Sequence, residues 1–228
     1  MLPIGDVNPR KRFPVMTIFL ILLNVIVFVY ELTLSDEALD AFFNSAGVVP
    51  YLLTQQTSMH ALGTLLTSQF LHGGFMHLFG NMLYLWIFGD NVEDKLGRVG
   101  FVIFYLLAGV VANLAQVAVD PTSQLPGIGA SGAIAGVLGV YLVLYPVNRV
   151  RTLILLFFVR YVELPAWLVL GFWFVLQLFD GVASIGTRSQ GGVAYFAHVG
   201  GFAVGLLVGW LVRGVSRRDA DDWPQSWR

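Results

Sequence analysis

Six separated apolar runs constrain this chain more than any other feature, covering roughly residues 15–32, 75–90, 99–119, 130–147, 164–179 and 195–212. The hydrocarbon core of a bilayer takes about 20 residues of helix. Inside it every backbone N–H and C=O must be bonded within its own segment, so each run is expected to be a helix. Composition agrees: 57% of residues are hydrophobic and 12% charged, with a mean hydropathy of +0.74, whereas soluble domains carry roughly a quarter charged residues. The expected fold class is all-α, a polytopic membrane protein whose six transmembrane helices form one bundle over residues 15–212. Residues 1–14 and 213–228 are expected to be tails, the second of them disordered. The polar, basic start runs into an apolar stretch long enough to stay in the membrane, which does not read as a cleaved signal peptide.

The pieces between the runs also carry information. The first loop covers residues 33–74, where Ser35 or Asp36 is placed to cap a short amphipathic helix through Phe43. The run 61–71 is too short to span and is expected at the interface or dipping into the protein. Residues 150–161, interrupted by Arg151 and Arg160, are expected as a loop along the membrane surface before Glu163-Leu164-Pro165 opens the next helix. The chain has no cysteine, which excludes disulfides, thiolate zinc sites and cysteine nucleophiles. A net charge of −1 without a basic cluster argues against a nucleic-acid partner. No cofactor is expected, and the partner implied at once is the lipid bilayer.

Six spans place both termini on one side, and that side holds 12 of the 13 Lys and Arg residues, with Arg188 alone opposite. The positive-inside rule makes it the cytoplasmic side. A start free of an Arg- and Ser-rich transit peptide points to a prokaryotic plasma membrane. The second, fourth and sixth spans then all run from outside to inside, so their first turns share one depth.

At that depth lie His77 and Asn81 in the second span, Ser131 at the start of the fourth and His198 one turn into the sixth. Polar and ionisable groups inside a membrane are expensive and mark function. A serine beside a histidine, with hydrogen-bond donors near, is the minimum set for nucleophilic acyl transfer. Each piece has a plainer reading. Gly129-Ala130-Ser131-Gly132 and the Gly132–Gly136 spacing suit close helix packing; Gly201, Gly205 and Gly209 do the same after His198; Asn81 can bridge helices. Packing alone, however, does not call for Ser, His, His and Asn at one level. Other protease chemistries lack their parts: there is no H-E-x-x-H, His72 and His77 are five apart, and Asp90, Asp120 and Asp180 sit at span ends.

Three motifs in chain order carry a resemblance. His77-Leu78-Phe79-Gly80-Asn81 matches an H-x-x-x-N, Gly129-Ala130-Ser131-Gly132 a G-x-S-G, and Ala197-His198-Val199-Gly200-Gly201 an A-H-x-G-G. Together they make the chain resemble the rhomboid family of intramembrane serine proteases over essentially its whole length. The resemblance implies a six-helix bundle with a Ser–His dyad and no acidic third member. It makes Ser131 the nucleophile and His198 the base. The oxyanion and substrate site would comprise the Ser131 N–H, His77, Asn81 and Gly129, with no metal, and His72 would be structural. Implied substrates are transmembrane proteins cut near the outer membrane face. Residues 164–192 resemble the family's lateral gate, and the first loop its membrane-embedded element. Two departures stand out. Ala135 occupies the position where some members stack an aromatic ring on the histidine, leaving Tyr195 or Phe196 as candidates to orient His198; and a Trp-Arg pair of the first loop is missing. A catalytically silent membrane-helix binder and a small transporter are the competing classes, the latter without the internal repeat it calls for.

Overall fold

The computed structural model describes residues 1–155, 159–184 and 194–215. Strand β1 (Leu2–Asp6) precedes helix α1 (Val15–Glu31). The first loop folds into α2 (Asp36–Ala46), α3 (Pro50–Gln55), α4 (Met59–Thr67) and a 3-10 turn (Ser68–Phe70). Next come α5 (Phe75–Leu96), α6 (Arg98–Val119) and α7 (Ser131–Leu144). A hairpin of β2 (Arg149–Leu155) and β3 (Val159–Pro165) leads into α8 (Ala166–Ser184), and α9 (Tyr195–Val215) follows.

Helix α7 is the centre of the bundle, with every residue from Gly132 to Tyr141 buried. It packs most intimately on α9 and also against α5, α6 and α8, while α1 lies outside α5. Small residues allow this. A β-carbon built on Gly201 would stand 3.0 Å from the Gly132 carbonyl carbon, and one on Gly205 only 2.8 Å from that of Gly136, nearer still to the oxygens. Carbon atoms in contact sit about 3.5–4.0 Å apart, so only glycine lets these two backbones touch. Leu85, Phe88, Phe101, Tyr105, Leu138, Tyr141 and Leu170 fill the spaces between helices. The outward faces are apolar too: Phe19, Ile26, Ile103, Leu107, Val175, Phe179, Leu207 and Trp210 are each more than half exposed. A soluble protein rarely exposes so wide an apolar surface, whereas lipid requires it. Three helices meet both the length and the hydropathy of a span, within Arg98–Val119, Ala166–Ala183 and Tyr195–Arg213; Val15–Glu31 and Ser131–Leu144 are apolar but shorter.

The first loop takes the form its sequence suggests. Ser35 Oγ accepts the Ala38 N–H at 3.3 Å and starts α2, and Ser58 Oγ caps α4 by accepting from Ala61 at 3.1 Å. The apolar run 61–71 dips into the protein: Ala61, Thr64, Leu65 and Leu71 are buried, and α4 rests on α6.

Several expectations need correction. Residues 150–155 and 159–161 are strand and not loop, and the segment before α1 is not wholly a tail: both join an antiparallel three-stranded sheet in the order β1-β2-β3. Leu2 pairs with Leu153 and Asp6 with Val150, while Arg149 through Leu155 pair with Pro165 through Val159. The class is therefore helical with a small sheet attached. Val150 and Thr152 point inward and are fully buried, while Arg151 points outward 3.8 Å from Glu163, the alternation of a half-buried strand. Glu163-Leu164-Pro165 ends β3 instead of opening α8, since Pro165 blocks helix for the residue before it. Helix α5 also runs beyond the expected stop at residues 89–90, because its polar last turns find partners. Glu93 accepts the backbone N–H groups of Met16 (3.0 Å) and Thr17 (2.8 Å), Asp94 that of Lys11 (2.8 Å), and Asn91 bonds Asn8 and Asp6. The expected disordered tail from residue 216 on, and residues 185–192 of the expected gate, lie outside the described residues.

Candidate active site

Ser131 is the first residue of α7, entered through Gly127-Ile128-Gly129. The entry is fixed by two backbone bonds, Gly127 N–H to the Val48 carbonyl (2.7 Å) and Gly129 N–H to that of Ser68 (2.9 Å). Gly129 has φ 127°, a conformation that suits glycine, and its α-carbon faces a ring. A β-carbon there would lie 2.7 Å from His77 Nε2 and 3.7 Å from Ser131 Oγ. His77 thus confronts the serine across a glycine.

His198, one turn into α9, places Nε2 2.7 Å from Ser131 Oγ. Its other nitrogen, Nδ1, is 2.6 Å from Oε1 of Gln177 on α8. The Trp173 ring, one turn earlier on α8, lies with its centroid 5.8 Å from that of His198 and 6.1 Å from that of Phe202. His198 is only 7% exposed. The α7–α9 backbone contact described above sets the distance between the two side chains, since Gly132 and Gly201 lie one and three residues beyond them.

On α5, His77 Nδ1 receives the Gly73 N–H at 3.4 Å. Asn81, one turn later, is 8% exposed, and its Nδ2 is buried with no partner. A buried amide donor left unpaired costs stability, and both ring nitrogens of His72 are in the same position. His72 is 1% exposed, stands edge-on to His77 with centroids 5.1 Å apart, and donates its backbone N–H to the buried Glu31 carboxylate at 3.2 Å. That bond ties the end of α1 to the first loop.

Ser131, His198, His77 and Gly129 therefore meet at one end of the bundle, and Asn81 stands one turn below His77 on the same helix. A cavity of about 540 Å³ lies at the other end of α5, among Arg12, Asp90, Asp94 and Arg98, and none of the five residues lines it. Among the described residues no group of three or more His, Cys, Asp or Glu side chains is placed to share a metal ion. The sequence reading missed Gln177 and Trp173. Among the described residues the groups found on the His198 ring, Gln177 and Trp173, come from α8 and not from Tyr195 or Phe196. The available signal was a lone amide inside the fifth apolar run.

Comparison with known proteins bears on the same stretch. The family model described as Rhomboid domain matches residues 60–215, which include all five site residues. Rhomboid protein 1, mitochondrial, of Saccharomyces cerevisiae is 32% identical over 166 residues, 71% of this chain and 45% of that protein. Rhomboid-like protein 11, chloroplastic, of Arabidopsis thaliana is 27% identical over 197 residues, 83% of this chain and 65% of that protein. Rhomboid protease GluP of Bacillus subtilis is 42% identical over 85 residues, 37% of this chain and 16% of that protein. In each case less than two thirds of the relative's own length is matched.

Proposed function

Since this chain belongs to the rhomboid family, whose members are integral membrane proteins and include intramembrane serine proteases, we propose that it is a serine endopeptidase. It cleaves transmembrane segments of membrane proteins near the outer membrane face. The observation that carries this reading is the 2.7 Å approach of His198 Nε2 to Ser131 Oγ inside an apolar bundle. The working form is a six-span bundle over residues 15–212, with α1, α5, α6, α7, α8 and α9 as spans and both termini in the cytoplasm of a prokaryotic cell. The sheet, at the basic end, then lies on the cytoplasmic side.

His198 Nε2 takes the Ser131 hydroxyl proton as Oγ attacks the scissile carbonyl carbon. The oxyanion is met by the Ser131 backbone N–H, by Asn81 Nδ2 and by His77. Because His77 Nδ1 accepts from Gly73, its remaining proton sits on Nε2, the nitrogen that faces Gly129 and the serine. Collapse breaks the C–N bond, and the proton on His198 passes to the leaving amine. A water then attacks the acyl-enzyme, giving its proton to His198 and its hydroxyl to the acyl carbon; the bond from the acyl carbon to Ser131 Oγ breaks and His198 returns the proton to Oγ. A substrate helix must unwind locally first, since a carbonyl bonded within a helix is not open to attack.

The test is labelling of the purified protein by a fluorescent fluorophosphonate, in mild detergent and in lipid, beside Ser131→Ala and His198→Ala. Labelling of the wild type that both variants abolish is expected. A folded wild type that stays unlabelled in both media defeats the reading and favours a silent membrane-helix binder.

A further inference from the structure

The geometry points to Gln177 as the positioning residue of the catalytic base, making a neutral Ser131–His198–Gln177 triad in place of a bare dyad; this rests on the proposed serine chemistry. A neutral imidazole carries one proton, so one nitrogen donates and the other accepts. For Nε2 to accept the Ser131 hydroxyl proton, the imidazole proton must sit on Nδ1. Gln177 Oε1 stands 2.6 Å from that atom and accepts it. The opposite tautomer would keep a bond only if the Gln177 amide turned over to donate from Nε2, and it would face the serine with a donor.

Gln177 also works during the reaction. When His198 takes the serine proton it becomes a cation, and the bond from Nδ1–H to the amide oxygen becomes charge-assisted. An ionised carboxylate in the same place would stabilise the cation more, but it would have to be held inside an apolar bundle before any charge develops, which is costly. An amide gives the acceptor without that burden. Trp173, four residues earlier on the same face of α8, covers the ring while Gln177 holds its edge. The role left open by Ala135 is therefore filled from α8, which supplies the hydrogen-bond partner of Nδ1.

Three substitutions separate positioning from bulk. Gln177→Met keeps the length without the acceptor, Gln177→Asn keeps the amide but falls short by one methylene, and Gln177→Glu keeps an acceptor at the same reach. Each is assayed with a transmembrane-segment reporter in proteoliposomes for kcat and KM, beside Ser131→Ala and a thermal unfolding curve. Gln177→Met and Gln177→Asn are expected to lower kcat about 10- to 100-fold, the worth of one charge-assisted hydrogen bond. KM should stay within about twofold, and Gln177→Glu should recover most of the rate. In the wild type, 15N shifts of the imidazoles, of which the chain has four, should place the His198 proton on Nδ1. Unchanged kcat in Gln177→Met, equal losses in Gln177→Met and Gln177→Glu, or a proton on Nε2 overturns the assignment. If Ser131→Ala is inactive while Gln177→Met is fully active, only the role of Gln177 falls. If Ser131→Ala still cleaves, the serine reading falls and takes this one with it.

Discussion

Replacing Gly201 by alanine tests whether the backbone contact between α7 and α9 sets the reactivity of the serine. The added methyl would lie 3.0 Å from the Gly132 carbonyl carbon and closer to its oxygen, with the Ala135 methyl at 3.4 Å on the other side. Both near atoms of Gly132 are main chain, so no side chain can turn away. Restoring ordinary contact requires the helices to part by about 1 Å. The Ser131–His198 pair sits within a turn of this point at 2.7 Å. Parting the helices by that amount carries it to about 3.7 Å, beyond a useful hydrogen bond. Overpacking of this kind costs about 1–3 kcal/mol of stability. Gly205→Ala meets a similar obstruction, 2.8 Å from the Gly136 carbonyl carbon, but one turn further from the pair. Gly171→Ala on α8 meets nothing within 4 Å and should be neutral or slightly stabilising. The assay is the rate of fluorophosphonate labelling beside thermal unfolding in detergent. Both inner-face variants should lose stability, Gly201→Ala should lose labelling by at least about tenfold, and Gly205→Ala should lose less. Wild-type labelling in Gly201→Ala, at any stability, refutes the argument.

Three other outcomes follow from the described contacts. Asn81→Ala should lower kcat about 10²–10³-fold with little change in unfolding temperature, since on the proposed mechanism it removes an oxyanion donor, and that Nδ2 has no hydrogen-bond partner among the described residues; a large fall in unfolding temperature would make Asn81 a packing residue instead. Gly129→Ala should depress labelling by about tenfold or more, because the methyl displaces His77 and strains a φ of 127°; an unaffected rate would detach His77 from the reaction. Burial raises the Asp6 carboxyl from 3.8 to about 6, opposed by the Tyr141 hydroxyl at 2.7 Å and reinforced by Asp90. The folded chain therefore holds a proton there that the unfolded chain releases, and the resulting stabilisation is complete below pH 3.8 and lost as pH rises through about 6. Unfolding temperatures measured from pH 4 to 7.5 should fall across that window, and Asp6→Asn should flatten the slope; identical slopes remove Asp6 as the cause.

How far the sequence could be read depended on whether the signal was local. Helix α9 begins at the expected Tyr195, α1 at the expected Val15, and α7 one residue after the expected start, because an apolar run fixes its own helix whatever it packs against. Ser131, His77 and His198 were legible for the same reason: a polar side chain in an apolar run is conspicuous before its partner is known. Strand β1 was not legible, because Leu2 finds its partner at Leu153 and short strands of mixed composition carry little signal of their own. The last turns of α5 look like a loop until Thr17, Asn8 and Lys11 arrive to bond them. Gln177 was as conspicuous as Asn81, but its meaning depends on the rotation of α8 about its axis, which follows from packing.

The capping of α1 by Glu93 bears on how the protein is made. Pro14 supplies no side-chain cap, and the N–H groups of Met16 and Thr17 are satisfied by a carboxylate 77 and 76 residues further along the chain. A ribosome adding about 5–20 residues per second needs roughly 4–15 s to cover that distance. For that interval those two N–H groups wait without the partner they have in the folded chain. The arrival of α5 supplies it. Formation of the first helix and the setting of its final register against α5 are thus two events, separated in time by the synthesis of the whole first loop.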